Sequence, residues 1–229
     1  MMYFGLLFDL DGVLVDTAKY HYRAWKELAE SLGIDFTLED NERLKGVSRM
    51  HSVEIILEIG GINMSQAEKE ACCERKNARY VALISNMGPE ELLPGAGQFL
   101  YDVRSKGYRT ALGSASKNAL LILDRLRLTE LFDVIVDGTK VSKAKPDPEV
   151  FALGGKLLRI DPAHCLVFED AVAGIQAAHA AGMKAIGIGD PQTLVEADAH
   201  LPHGFSNVTI EQIEKILLHS DKDVSAFSM

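Results

Sequence analysis

Phe4-Gly5-Leu6-Leu7-Phe8-Asp9-Leu10-Asp11-Gly12-Val13 is the stretch on which the fold turns. A short apolar run ending in turn residues reads as a strand buried on both faces, the kind found in parallel sheets. Two carboxylates close it. In extended backbone, residues two apart point to the same side. Asp9 and Asp11 are therefore predicted to face one cavity at the strand's C-terminal end. Ligands of open α/β sheets bind at that end. Two carboxylates in a small cavity repel unless a cation or a proton joins them. Gly12 permits the sharp turn that follows.

After this strand, no second strand signal comes until about Ala111. A parallel crossover needs only about a dozen residues, so the excess predicts an inserted helical domain. Asp16-Thr17 offers N-cap chemistry, and His21, Trp25, Leu28 and Leu32 follow at helical spacing. Further helices are expected over 38–44, 51–59 and 65–83, with Ser65 and Glu68 at capping-box spacing. The core then resumes. Strands are expected at 109–113, 132–136, 165–168 and 184–188, with helices at 118–126, 148–158 and 172–181 between them and a last amphipathic helix over 210–218. This alternation predicts a Rossmann-like, doubly wound α/β core with a parallel sheet. The domains are set at 1–16 and 93–229 for the core and 17–92 for the helical cap.

Composition narrows the class. A 229-residue chain with 47% hydrophobic and 25% charged residues is ordinary for a soluble globular protein. No apolar run reaches the length of a membrane span, and a net charge of −9 opposes non-specific nucleic-acid binding. The start of the chain lacks a secretory pattern, so a cytoplasmic location is expected. Cys72, Cys73 and Cys165 form no disulfide framework and no zinc spacing, and are expected to be free thiols.

Three more strand ends carry polar groups. Ser114-Ala115-Ser116 precedes a helix, which suits either an anion or simple capping. Lys145 stands before Pro146, and its ammonium can bridge a carboxylate and a phosphate. Glu169-Asp170 closes another buried strand with oxygen ligands that suit a hard ion such as Mg2+. Four acids against one lysine leave a negative excess that a divalent cation relieves.

In type, order and position these residues resemble the haloacid dehalogenase superfamily of phosphotransferases. The inserted segment resembles the helical cap of its β-phosphoglucomutase branch, on the strength of Asp16-Thr17 with His21 and Trp25, Leu44-Lys45-Gly46-Val47-Ser48-Arg49, Lys76-Asn77 and Ser114-Ala115-Ser116-Lys117-Asn118. The resemblance implies that Asp9 is the nucleophile and Asp11 the proton-transfer group. Mg2+ would sit on Asp9, the Asp11 carbonyl and Asp170, with Glu169 nearby. Ser114, Ala115 N–H and Lys145 would hold the transferring phosphate. Arg49, Ser116, Lys117 and Asn118 would hold a second phosphate. His21, Trp25, Gly46, Val47, Ser48, Ser52, Lys76 and Asn77 would serve substrate binding, with Thr17 at the hinge. The implied substrate is a phosphorylated sugar, turned over through β-glucose 1,6-bisphosphate by a monomer. A phosphatase acting on sugar phosphates or phosphoglycolate is the alternative, and it needs only the first phosphate site.

Asp9→Ala is expected to abolish phosphoryl transfer while leaving the fold intact, as read by turnover and circular dichroism. Retained turnover in that variant refutes the role given to Asp9.

Overall fold

The structure, a computed structural model, describes residues 4–44 and 47–218. They divide into two compact units, Met1–Asp16 with Gly88–Met229, and Thr17–Met87. The return to the first unit comes at Gly88, ahead of the expected residue 93. The reason is local pairing: Leu92 forms an antiparallel bridge with Val15, and the Leu93 N–H donates to the Leu14 carbonyl at 2.9 Å.

The first unit holds a six-stranded, all-parallel sheet in the order β3-β2-β1-β4-β5-β6. Its strands are β1 (Gly5–Phe8), β2 (Arg109–Gly113), β3 (Val134–Val136), β4 (Cys165–Glu169), β5 (Lys184–Ile188) and β6 (Ala199–Leu201). The second unit carries helices α1 (Ala18–Ser31), α2 (Leu38–Glu42), α3 (Arg49–Gly60) and α4 (Gln66–Ile84). Helices α5 (Ala96–Ser105), α6 (Ala119–Arg125), α7 (Glu149–Leu158), α8 (Val172–Ala180) and α9 (Ile210–Leu218) belong to the first unit.

β1 is apolar throughout because both of its faces are covered. Leu7 joins a cluster with Ala111, Val167, Val150, Phe151 and Ile175. Phe8 points the other way, stacking on Phe168 at 4.7 Å between ring centroids and meeting Phe99, Phe132 and Phe205 edge-on or tilted. The register sets Phe8 against both Leu112 and Phe168. The residues that follow, Asp9, Gly113 and Glu169, therefore stand side by side at the C-terminal end of the sheet.

β1 ends at Phe8, although the Asp9 N–H still donates to the Phe168 carbonyl at 3.0 Å. Past Asp9 the chain coils tightly, with the Leu14 and Val15 N–H groups donating to the Leu10 carbonyl and Gly12 N–H to the Val15 carbonyl. Two points differ from the sequence pattern. Thr17 occupies the N-cap position of α1, but its hydroxyl makes no capping bond. Its near-helical backbone, φ −96° and ψ −1°, differs from the extended one that aims a cap side chain at the free N–H groups. β6 went unforeseen, since Ala-His-Leu carries no strand pattern. It pairs with β5 where Asp198 gives its N–H to the Ala185 carbonyl and accepts the Ala185 N–H at 2.7 Å. By contrast, the Ser65–Glu68 capping box stands as expected, and all three cysteines are free.

Phe168→Ala would empty the centre of the aromatic cluster. It is expected to lower unfolding free energy by about 3–5 kcal/mol, measured by urea titration. A loss below about 1 kcal/mol would mean that the cluster closes around the gap.

Candidate active site

The first unit gathers charge at the C-terminal ends of β1 and β4. Lys145 Nζ donates to Asp9 Oδ1 at 2.6 Å and to Glu169 Oε2 at 2.8 Å, and lies 4.7 Å from the Phe151 ring centroid. Asp9 and Glu169 are buried at 7% and 1% exposure, so this ammonium replaces most of their lost hydration. Burial by itself would lower the Lys145 pKa; the Asp9 and Glu169 charges outweigh it and hold the ammonium above its ordinary range.

One oxygen each from Asp9, Glu169 and Asp170 lie within 4.8 Å of one another. Burial first, then the Asp9 charge, pushes the Glu169 carboxyl up against the pull of Lys145. Asp170 is more exposed and is raised for the same two reasons. Three acids thus share one lysine, and the donor set is all oxygen. That charge deficit and donor chemistry suit a hard divalent cation. The Asp11 carboxylate is not part of this cluster, and the resemblance asked only for its carbonyl.

Two glycines make the cluster possible. Gly12 has φ +77°, and a Cβ there would stand 1.8 Å from Asp170 Oδ2. Gly174 leaves comparable room beside Glu169.

The loop after β2 forms a second part of the centre. Ser114 is buried, and its Oγ accepts the Ser116 N–H at 3.1 Å, while Ser116 Oγ accepts the Asn118 N–H at 3.2 Å. Each hydroxyl keeps its own proton to donate. Ala115 and Lys117 are exposed, and Asn118 starts α6 without a side-chain capping bond. Sequence reading missed Gly138, which holds this loop. Its N–H donates to the Ser116 carbonyl at 3.1 Å, and a Cβ on it would stand 2.1 Å from the Ala115 carbonyl oxygen. Only the turn-forming Asp137-Gly138 pair hinted at it.

The second unit has a separate cationic cluster. Lys76 Nζ lies 2.8 Å from His21 Nδ1, 4.6 Å from the Trp25 ring centroid and 4.8 Å from that of Tyr80. Lys76 is 3% exposed, and among the described residues it makes no ion pair. Burial, then the Arg49 charge, lowers its pKa to about 7. The His21 ring packs 4.1 Å from Tyr80, and this desolvation with the Lys76 and Arg49 charges keeps the imidazole neutral. Arg49 donates to Asn77 Oδ1 at 2.9 Å. Trp25 is also core, packed with Leu28, Val53 and Ile56. Ser48 caps α3 by accepting the His51 N–H, and Ser52 Oγ donates to the Ser48 carbonyl, so both hydroxyls serve the helix. Val47 packs against the same core, and Gly46 lies outside the described residues.

The family model for haloacid dehalogenase-like hydrolase matches residues 5–182. The chain belongs to that family. Among curated haloacid dehalogenase relatives, β-phosphoglucomutase of Bacillus subtilis is 44% identical over 219 residues, covering 95% of this chain and 94% of that protein. A phosphorylated carbohydrates phosphatase of Thermotoga maritima is 34% identical, covering 85% and 91%. The crystal structure of β-phosphoglucomutase from Clostridium difficile superposes with a TM-score of 0.83 at 40% identity, covering 94% of this chain and 97% of that one. The family assignment thus spans the strand ends described above and the helical unit inserted between β1 and β2.

The buried Lys76 ammonium yields a pH signature. Its folded pKa of about 7 lies below the ordinary 10.5, so from pH 7 to 10.5 the unfolded chain binds a proton that the folded chain has released. Stability from this group therefore rises with pH across that window, and the desolvation penalty is full below it. The Lys76 Cε chemical shift is expected to titrate near pH 7 in carbon NMR; a midpoint near 10.5 contradicts this environment.

Proposed function

We propose that this chain interconverts β-D-glucose 1-phosphate and glucose 6-phosphate through an aspartyl phosphate and β-glucose 1,6-bisphosphate. The 44% identity to a β-phosphoglucomutase over 95% of the chain carries the reading. The Asp9–Lys145–Glu169 geometry supports it.

The chemistry starts at Asp9. Its carboxylate oxygen attacks phosphorus, forming the Asp9–phosphoryl bond as the bond between phosphorus and the sugar oxygen breaks. Asp11 gives its proton to the departing sugar oxygen. In the reverse transfer Asp11 takes the proton of the attacking hydroxyl. The phosphoryl oxygens meet Lys145, the Ser114 hydroxyl and the Ala115 N–H, whose donors face the charge that spreads over them. Asp9, the Asp11 carbonyl, Glu169 and Asp170 would hold Mg2+, which when bound neutralises phosphate charge and acts as a Lewis acid.

A mutase differs from a phosphatase in needing a second grip on phosphate. Arg49 and Lys76 of the second unit are cations with no acid paired to them among the described residues, which suits an anionic sugar phosphate. Ser116, Lys117 and Asn118 add further donors on the first unit. The phosphatase relative at 34% identity keeps hydrolysis as the second reading.

A phosphorus NMR time course with Mg2+, β-glucose 1-phosphate and a trace of the bisphosphate decides between them. Growth of glucose 6-phosphate with little free phosphate is the expected result, and free phosphate alone would overturn it. In the same assay Arg49→Ala is expected to weaken the bisphosphate by about 10- to 100-fold, the value of a charge-assisted hydrogen bond, and to raise the hydrolysed share.

A further inference from the structure

α8 begins just after the acidic pair, and its third residue is a buried glycine, Gly174. Alanine is favoured over glycine inside a helix by about 1 kcal/mol. The Gly174 backbone lies outside the left-handed region, so its conformation does not require glycine. What lies beside it explains the residue. A Cβ built on Gly174 would stand 2.0 Å from Glu169 Cδ, 2.3 Å from Cγ and 2.3 Å from Oε2. That Oε2 is the atom that accepts from Lys145 Nζ at 2.8 Å. The other oxygen, Oε1, accepts the Ala171 N–H at 3.3 Å, at the start of the same helix.

We infer that Gly174 is a positioning residue, leaving a notch in α8 that holds the Glu169 carboxylate against Lys145 and, through Lys145, fixes the ammonium on Asp9. The obstacle to a larger residue is a side-chain end and not backbone, so substitution spares the fold and moves the carboxylate. Displacing Oε2 removes one of the two anchors of Lys145 and takes one oxygen from the three-acid cluster. The inference deepens the proposed function by adding a residue that touches neither substrate nor cation yet sets the site's geometry.

The test is a cycle of wild type, Gly174→Ala, Glu169→Ala and the double variant. Two readouts are used: Mg2+ affinity by calorimetry with the metal alone, and crystal structures of the metal-free proteins. In Gly174→Ala, Mg2+ affinity is expected to fall about 10- to 100-fold, as for other losses of support around metal ligands. In the Glu169→Ala background the same change is expected to cost nothing further, because no carboxylate remains to be displaced. Equal losses in both backgrounds, or none in either, would overturn the inference. If Gly174→Ala fails to fold, recovery of folding in the double variant supports the notch, and continued failure overturns it. If the wild type binds no Mg2+, the metal assignment of the proposed function fails separately, and the crystal structure of Gly174→Ala then decides alone. A Glu169 Oε2 shifted away from Lys145 supports the notch; an Oε2 still hydrogen-bonded to Lys145 in that variant overturns it.

Discussion

A single buried ammonium holds the centre of the first unit together. Lys145 stands between Asp9 and Glu169 at hydrogen-bond distance from both. Each of those acids would be costly to bury alone, and one cation makes both tolerable. The arrangement is still short of positive charge, because Asp170 brings a third carboxylate to the cluster. Stability alone gives no reason for this excess of acid, since each further carboxylate adds repulsion that one ammonium does not offset. The all-oxygen cluster suits a hard cation, which would offset that excess.

The second unit shows the opposite imbalance. Lys76 is enclosed by Trp25, Tyr80 and a neutral His21, with Arg49 nearby and no acid bonded to it among the described residues. Ring faces and an imidazole nitrogen compensate part of the ammonium's desolvation. What remains unbalanced is positive charge, and a phosphosugar carries the matching sign. Each unit therefore holds an uncompensated charge, negative in the first and positive in the second.

Backbone approach is the quieter constraint. Gly12, Gly138 and Gly174 stand where a Cβ would meet, respectively, Asp170, the Ala115 carbonyl and Glu169. The polar groups are thereby packed against main chain, where N–H donors lie close and the side chains have few alternative positions. None of these glycines can do chemistry, yet each sets where a chemical group stands.

Much of this was legible in the sequence. Buried strands show as apolar runs, so the β1, β2, β4 and β5 segments and the acids, serine and lysine that follow them could be read from local pattern. The long interval before β2 announced the helical insertion, and the Ser65–Glu68 box marked a helix start. Local sequence also determined which residue types stand at the strand ends. Tertiary structure alone decided where those residues meet. The alignment of Phe8 with Leu112 and Phe168 is set by pairing between segments distant in the chain, and that alignment brings Asp9 and Glu169 to one lysine. The same holds for β6, a strand only because β5 offers it an edge, and for the tight coil that follows Asp9. Pattern records what a residue prefers, whereas register and glycine notches depend on neighbours that the chain brings close only when it folds.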